Sequence, residues 1–204
     1  MIANGSHPAT RGTCVLKLAP LALIAMAAAC SVGRVDTARL VVASPVDRAI
    51  VRAVAEDFAH HPDCDYGTGA AGIAVNTTAT SLSWLSDDWI RSQIGSAAQG
   101  DVSSLIEPLR ARNPEAQRVD WGTLSSGLIQ THDLYRYTNS RYTAVASSVR
   151  CLVTFMLPAV SEDGDQAVTV LDVAPAPHGA AAVYVLRREG DGWQVTARRF
   201  VHFL

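Results

Sequence analysis

The sequence predicts an α+β domain, with N-terminal helices packed on a C-terminal four-stranded antiparallel meander. Three observations carry that prediction. An apolar stripe (Val46, Ile50, Val54, Phe58) recurs every fourth residue early in the folded part. Four segments rich in β-branched and aromatic residues close the chain: 149–157, 166–174, 180–188 and 193–203. The joints between them, PAVSEDGD, PAPHG and EGDG, carry the Gly, Asp and Pro chemistry of turns.

The chain opens on a different kind of segment. From Leu18 to Ala29 run 12 mostly apolar residues with a proline at position 20, preceded by Arg11 and Lys17. A bilayer-spanning helix needs about 20 apolar residues, so the run is short for a span. A secretory h-region takes ~7–15 residues after a basic stretch and ends in small ones, as Ala27-Ala28-Ala29 does here. Cys30 follows directly. Small residues running into a cysteine resemble the lipobox of bacterial lipoproteins, although Ala27 stands where that family usually has leucine. The resemblance covers residues 17 to 30. It implies cleavage before Cys30, thioether lipidation of Cys30 and an exported protein at the periplasmic face of the envelope. Ser31 after the cysteine resembles outer-membrane sorting. Ordinary secretion after the same A-x-A site is the alternative. Translation from Val15 would give a more compact signal than the polar stretch MIANGSHPATRGTC. The expected organisation is therefore a signal peptide over 1–29, a lipidated tether over 30–44 and one domain over 45–204.

Within that domain Ser44-Pro45 starts a helix. Serine caps an N-terminus, proline suits the first turn, and Pro62 ends the segment. Residues 63–83 read as a Gly/Thr/Ser-rich loop. Ser86-Asp87-Asp88 starts a short helix through Ile94. Asp101 caps another through about Arg112, with a kink or break at Pro108. Residues 113–141 read as polar and turn-rich. In the last strand Trp193, Val195 and Ala197 alternate with Gln194, Thr196 and Arg198, which predicts one packed and one wet face. The helices are expected to cover the packed face, making a two-layer domain.

From Cys30 onward the chain carries 15 arginines, no lysine and 19 acids, a net charge of −4. That balance offers no electrostatic footprint for nucleic acid and no polybasic membrane surface. With Cys30 lipidated, Cys64 and Cys151 remain. In an oxidising compartment the pair reads as a disulfide, with two independent buried thiols as the alternative.

The segment SEDGDQAVTV…GAAAVYVLRREGDGWQV resembles the C-terminal sheet of small bacterial secreted proteins. It is also similar to the last strands of NTF2-like (cystatin-like α+β) domains, which host both enzymes and binders. That resemblance implies a cavity in which His60, His61 or His132 would be the polar groups.

Local chemistry is sparse. GTGAAG (67–72) satisfies G-x-G-x-x-G, but no strand precedes it and no good helix follows, so it reads as a glycine loop and no nucleotide is expected. His60, His61, Asp63, Cys64 and Asp65 crowd metal-ligating chemistry into six residues, which suits zinc or copper in type but lacks a second ligand segment. The alternative is a polar helix end: histidine complements the dipole and the aspartates start a turn. Tyr66, Trp84, Trp89 and Trp121 fall in or near loops, where aromatics either form a binding patch or cap the core edge. No nucleophile, base and acid are arranged in a recognisable motif, and no cofactor is expected. The sequence thus points to a non-catalytic interaction or accessory module of the bacterial envelope. A small-ligand binder or enzyme with an NTF2-like cavity, and a periplasmic metal-binding protein, are the alternatives.

Overall fold

A computed structural model of the chain describes residues 39–65, 67–79, 81–83, 85–95, 102–124, 127–133, 139–173 and 180–202. The segment expected to be a signal peptide (1–29), Cys30, Tyr66, Trp84, Asp101 and His178 lie outside these residues.

The first helix, α1 (Pro45–Ala59), forms where the periodicity places it. Ser44 caps it reciprocally: the Asp47 amide donates to Ser44 Oγ at 3.1 Å, and the Ser44 amide donates to Asp47 Oδ2 at 2.9 Å. Ile50, Val51, Val54, Ala55 and Phe58 are fully buried along its stripe. Ser44→Ala is expected to cost about 1 kcal/mol of unfolding free energy, measured by chemical denaturation.

Before α1 comes a strand, β1 (Leu40–Val42), inside the segment expected to be tether. It pairs in parallel with β4 (Gln117–Asp120), which pairs antiparallel with β3 (Thr78–Ala79). Val41 packs on the core, so residues before α1 already take part in the fold.

The main sheet corrects the four-stranded expectation. The four C-terminal strands are present as β6 (Cys151–Phe155), β8 (Gln166–Val173), β9 (Ala180–Glu189) and β10 (Gly192–His202), and they pair antiparallel in that order. However, β2 (Ile73–Asn76) and β5 (Ile129–His132) extend the sheet beyond β6, and β2 runs parallel to both β5 and β6. With the short β7 (Ala159–Val160) beside β8, the result is a seven-stranded mixed sheet, ordered β10-β9-β8-β6-β2-β5. Strands β5 and β6 are joined by α4 (Asn139–Ser148), the crossover that parallel strands require.

The two-layer expectation also fails, because β6, β8 and most of β9 are buried on both faces. One face meets α1 and a core that includes Ile73, Val75, Val153, Leu171, Tyr184 and Leu186. The other face meets α2 (Asp87–Gly95), a 3-10 turn (Ser103–Leu105) and α3 (Ile106–Arg112) over β8 and β9. On that same face Val145 and Val149 cover Ala74 and Leu152. Pro108 sits in the first turn of α3, where a missing N–H costs nothing, so the irregularity falls upstream as the 3-10 turn.

Strand β10 does not keep one phase. A bulge between Val195 and Ala197 leaves Thr196 unpaired. Trp193 and Val195 face α1 before it, whereas Ala197 faces the α2–α3 side. The bulge therefore turns Arg198 and Phe200 toward α1. There Arg198 meets Asp57 at 2.5 Å, and Phe200 stacks on Phe58 with ring centroids 5.8 Å apart.

Cys64 and Cys151 are disulfide-bonded, with Cα atoms 5.0 Å apart. The bond joins the turn after α1 to the first residue of β6. The glycine loop is fastened to the same place. Thr68 Oγ1 donates to the Val149 carbonyl at 2.8 Å, and the Arg150 amide donates to the Gly72 carbonyl at 2.6 Å. Gly67 and Gly69 have φ of 70° and 72°, values that favour glycine.

Candidate functional site

The residues singled out in the sequence scatter. His60 is the exposed C-cap of α1. His61 stacks on Phe200, centroids 4.1 Å apart, and its Nδ1 accepts from the Asp63 amide at 3.2 Å. Cys64 is taken by the disulfide. Asp65 accepts from the Gly67 amide at 2.8 Å, closing a turn, and faces Arg150. Among the described residues no three His, Cys, Asp or Glu side chains are placed to hold a metal ion. Trp121 is buried in the core, edge-on to Phe155 at 6.4 Å, and Trp89 is half-buried against the α2–α3 pack. These two do not form an exposed aromatic patch, because each found apolar cover.

The histidines do not converge either. His61 lies on the α1 side of the sheet. His132 ends β5 and shares a face with Gln130, 3.4 Å away, and with its cross-strand partner Asn76. In β2, Val75 points to the α1 core while Ala74 points to α4, so Asn76 and His132 lie on the α4 face.

Among the described residues, that face carries a line of polar side chains. Cross-strand pairing aligns His132 with Asn76, Asn76 with Thr154, and Thr154 with Asp172. Paired residues point the same way, so an imidazole, an amide, a hydroxyl and a carboxyl form one line across four adjacent strands. Interstrand spacing makes that line about 14 Å long. Asn76 Nδ2 donates to Thr154 Oγ1 at 3.2 Å, and Asn76 Oδ1 accepts from the Thr78 amide at 3.1 Å. Along β6 the line passes between Leu152, under α4, and Met156, under the α2–α3 pack. It divides the two apolar clusters of that face. Thr154 is buried, and the other three are half-buried.

Local sequence explains the placement. Strands β5, β2 and β6 run parallel and end or nearly end at these residues. The carboxyl ends of parallel strands are where open α/β sheets hold ligands. Burial pushes the Asp172 carboxyl above its ordinary range and holds the His132 imidazole below its own, so His132 is neutral at physiological pH. Asp172 has no hydrogen-bond or ion-pair partner among the described residues.

A second group adjoins the His132 end. Arg118 Nη2 donates to Asp133 Oδ2 at 2.7 Å, and the Thr77 amide donates to the His132 carbonyl at 2.9 Å. Among the described residues six buried side-chain polar atoms lack a partner. Four of them, Thr77 Oγ1, Thr78 Oγ1, Arg118 Nε and Asp133 Oδ1, lie at this junction. Buried polar atoms are normally satisfied, so their concentration here marks a place where the fold gives up stability.

Two other polar places lie away from this row. Tyr184 is fully buried above the Asp57–Arg198 pair. Burial and then the Asp57 carboxylate raise its phenol well above the ordinary value, although Asp57 is not placed for a regular hydrogen bond. A hollow of about 430 Å³ at the β10 bulge is lined by Gln166, Leu186, Arg187 and Thr196. Its Gln166 end lies six residues along β8 from Asp172, and Gln166, Arg187 and Thr196 give it a polar lining.

Sequence reasoning named His132 but missed Asn76, Thr154 and Asp172. The signal was there: each interrupts a run of apolar strand residues, in IAVN, CLVTF and AVTVLDVA. Removing the charge of Asp172 tests what it costs. A carboxyl raised by burial destabilises the fold increasingly as pH rises through its folded pKa, and not at all below its ordinary 3.8. Asp172→Asn is therefore expected to be more stable than the parent by ~1 kcal/mol at neutral pH, an advantage that vanishes in acid. Urea denaturation across pH measures it.

No protein-family model, curated protein or solved structure matches the chain.

Proposed function

We propose that the chain is an exported, lipid-anchored protein of the bacterial envelope, whose folded part holds a small polar ligand without transforming it. The anchor rests on residues 17–31: a basic start, a short apolar run and Ala27-Ala28-Ala29-Cys30-Ser31. A lipid at Cys30 would tether the domain, and among the described residues no helix is long and apolar enough to cross a membrane. The disulfide suits an oxidising compartment.

The binding role rests on the row His132–Asn76–Thr154–Asp172. Its donors and acceptors are set at strand spacing on a rigid, doubly covered sheet, which is a preorganised surface. His132 and Asp172 are about 14 Å apart by strand spacing, too far to share a proton, which favours holding over catalysis.

Amide chemical shifts report the binding role during titration with a panel of small polar fragments. Perturbation centred on residues 76, 132, 154 and 172 is expected; shifts confined to other parts of the sheet overturn it. Intact mass of the protein from its native host, alkylated before and after reduction, reports the anchor. A mass beginning at acylated Cys30 is expected, and an unlipidated mass retaining residues 18–29 defeats that half of the proposal.

A further inference from the structure

At the β10 bulge a hollow and a set of hydrogen-bonding side chains coincide. Register sets Gln166 of β8, Arg187 of β9 and Gln194 of β10 opposite one another, so the three share a face. Val185 gives the hollow an apolar contact, and Gln166, Arg187 and Thr196 give it polar ones. Thr196 is the extra residue of the bulge, a device that re-aims a side chain out of the ladder. Its hydroxyl donates to the Val185 carbonyl at 3.2 Å, which leaves the oxygen lone pairs to accept. The Gln166 carboxamide can both donate and accept, and the exposed Arg187 carries a planar fork of N–H donors. Glu189, two residues along β9 on the same face, is engaged by Gln194, whose carboxamide donates to Glu189 Oε1 at 2.6 Å.

We infer that the hollow takes a small hydroxylated carboxylic acid, with its carboxylate on the Arg187 guanidinium and its hydroxyl groups against Gln166 and Thr196. The site is separate from the row at Asp172 and does not depend on it, since six residues of β8 put about 20 Å between Gln166 and Asp172. The donors set the charge. A guanidinium fork matches the two oxygens of a carboxylate. One cation balances one negative charge, and the Glu189 carboxylate on the same face disfavours a second, so a monoanion is preferred to a phosphate dianion. The acceptors set the rest of the ligand: the Thr196 and Gln166 oxygens want donors, which hydroxyl groups supply. A volume of about 430 Å³ falls low in the ~300–1,000 Å³ range of small-molecule sites, which suits one sugar-sized molecule rather than a polymer.

Glucuronate and glucose are the probes, because they differ by a carboxylate in place of a hydroxymethyl group, and inorganic phosphate is the third. Each is titrated at neutral pH and constant ionic strength into the full chain, into Arg187→Gln and into Arg187→Lys. Binding is read from amide shifts and calorimetry, and folding of the variants is verified by their thermal transitions. The expected result is perturbation centred on residues 166, 187 and 196, with glucuronate bound at least about tenfold tighter than glucose, the worth of a charge-assisted pair. That preference is expected to be lost in Arg187→Gln and only partly kept in Arg187→Lys, which retains the charge but not the fork. Equal binding of the two sugars, a preference that survives Arg187→Gln, phosphate bound more tightly than glucuronate, or no binding of any probe overturns the inference. Shifts confined to residues 76, 132, 154 and 172 also overturn it while supporting the row, so the two proposals fail separately.

Discussion

Reduction of the Cys64–Cys151 bond, or the double variant Cys64→Ala/Cys151→Ala, is expected to lower the unfolding free energy by about 4 kcal/mol. The bond spans a sequence separation of 87, and in the chain-entropy account a loop of that size confers ~4–5 kcal/mol by restricting the unfolded chain. For a domain of this length that corresponds to a fall in Tm on the order of 10 °C. Both cysteines are fully buried, so replacement by alanine leaves only small voids. The folded-state loss should be local. Residues 64–72 and the start of β6 are held together by the bond, by Thr68 on Val149 and by Arg150 on Gly72. Thermal scans with and without reductant give the magnitude, and hydrogen exchange gives the location. An unchanged Tm in the reduced protein would mean the link carries no stability.

The second large effect is expected at Arg112. Its guanidinium donates to both Asp47 oxygens, at 2.8 and 2.9 Å, and to the Pro158 carbonyl. It thereby joins the start of α1 to the end of α3 and to the chain entering β7. The Asp47 side chain is nearly inaccessible, whereas that of Arg112 is about a third exposed. Burial alone would push the Asp47 carboxyl up. The hydrogen bonds from Arg112 and Ser44 outweigh that and hold it below its ordinary value. Arg112→Met leaves a buried carboxylate with only Ser44 beside it and is expected to cost about 3 kcal/mol at neutral pH. Asp47→Asn should cost less, because the orphaned guanidinium can still reach water. The pH dependence has a definite sign. In the parent, the Asp47 contribution is present above 3.8 and is lost as pH falls through the lower folded value. In Arg112→Met the carboxyl is raised instead, so acid relieves the variant. The gap between the two proteins should therefore narrow below about pH 4, and a gap that stays constant down to pH 3 would exclude Asp47 as its source.

How much of this was readable beforehand depended on the length and period of each element. Helix α1 was legible because its stripe repeats over four turns and its cap residues are explicit. The four long C-terminal strands were legible because β-branched runs alternate with turn chemistry. Strands β1, β2, β4 and β5 have three or four residues each. Segments such as LVV, IAVN and QRVD are too short to show a period, and parallel strands buried on both faces do not alternate. Among the described side chains of helix α4, NSRYTAVASS, Val145 alone packs on the core, so nothing in its spacing announces a helix. The phase change in β10 depends on one extra residue, Thr196, which alternation cannot reveal. The candidate site was illegible for a related reason. His132, Asn76, Thr154 and Asp172 are strangers in sequence, and only the register of four strands makes them neighbours.

The bulge at Thr196 also bears on how this protein behaves in a crowd. Strand β10 is eleven residues long and closes one side of the seven-stranded sheet, so its outer backbone would be a template on which another extended chain could zip. An incoming strand must match hydrogen bonds residue by residue, and the extra residue breaks that match near the middle. Beyond it Arg198 is held by Asp57, and exposed Arg199 places a second cation on the rim. A stray chain could pair with a few residues on either side but not with the whole length. Deleting Thr196 would restore an uninterrupted rim, and the first symptom should be concentration-dependent aggregation, measured by light scattering.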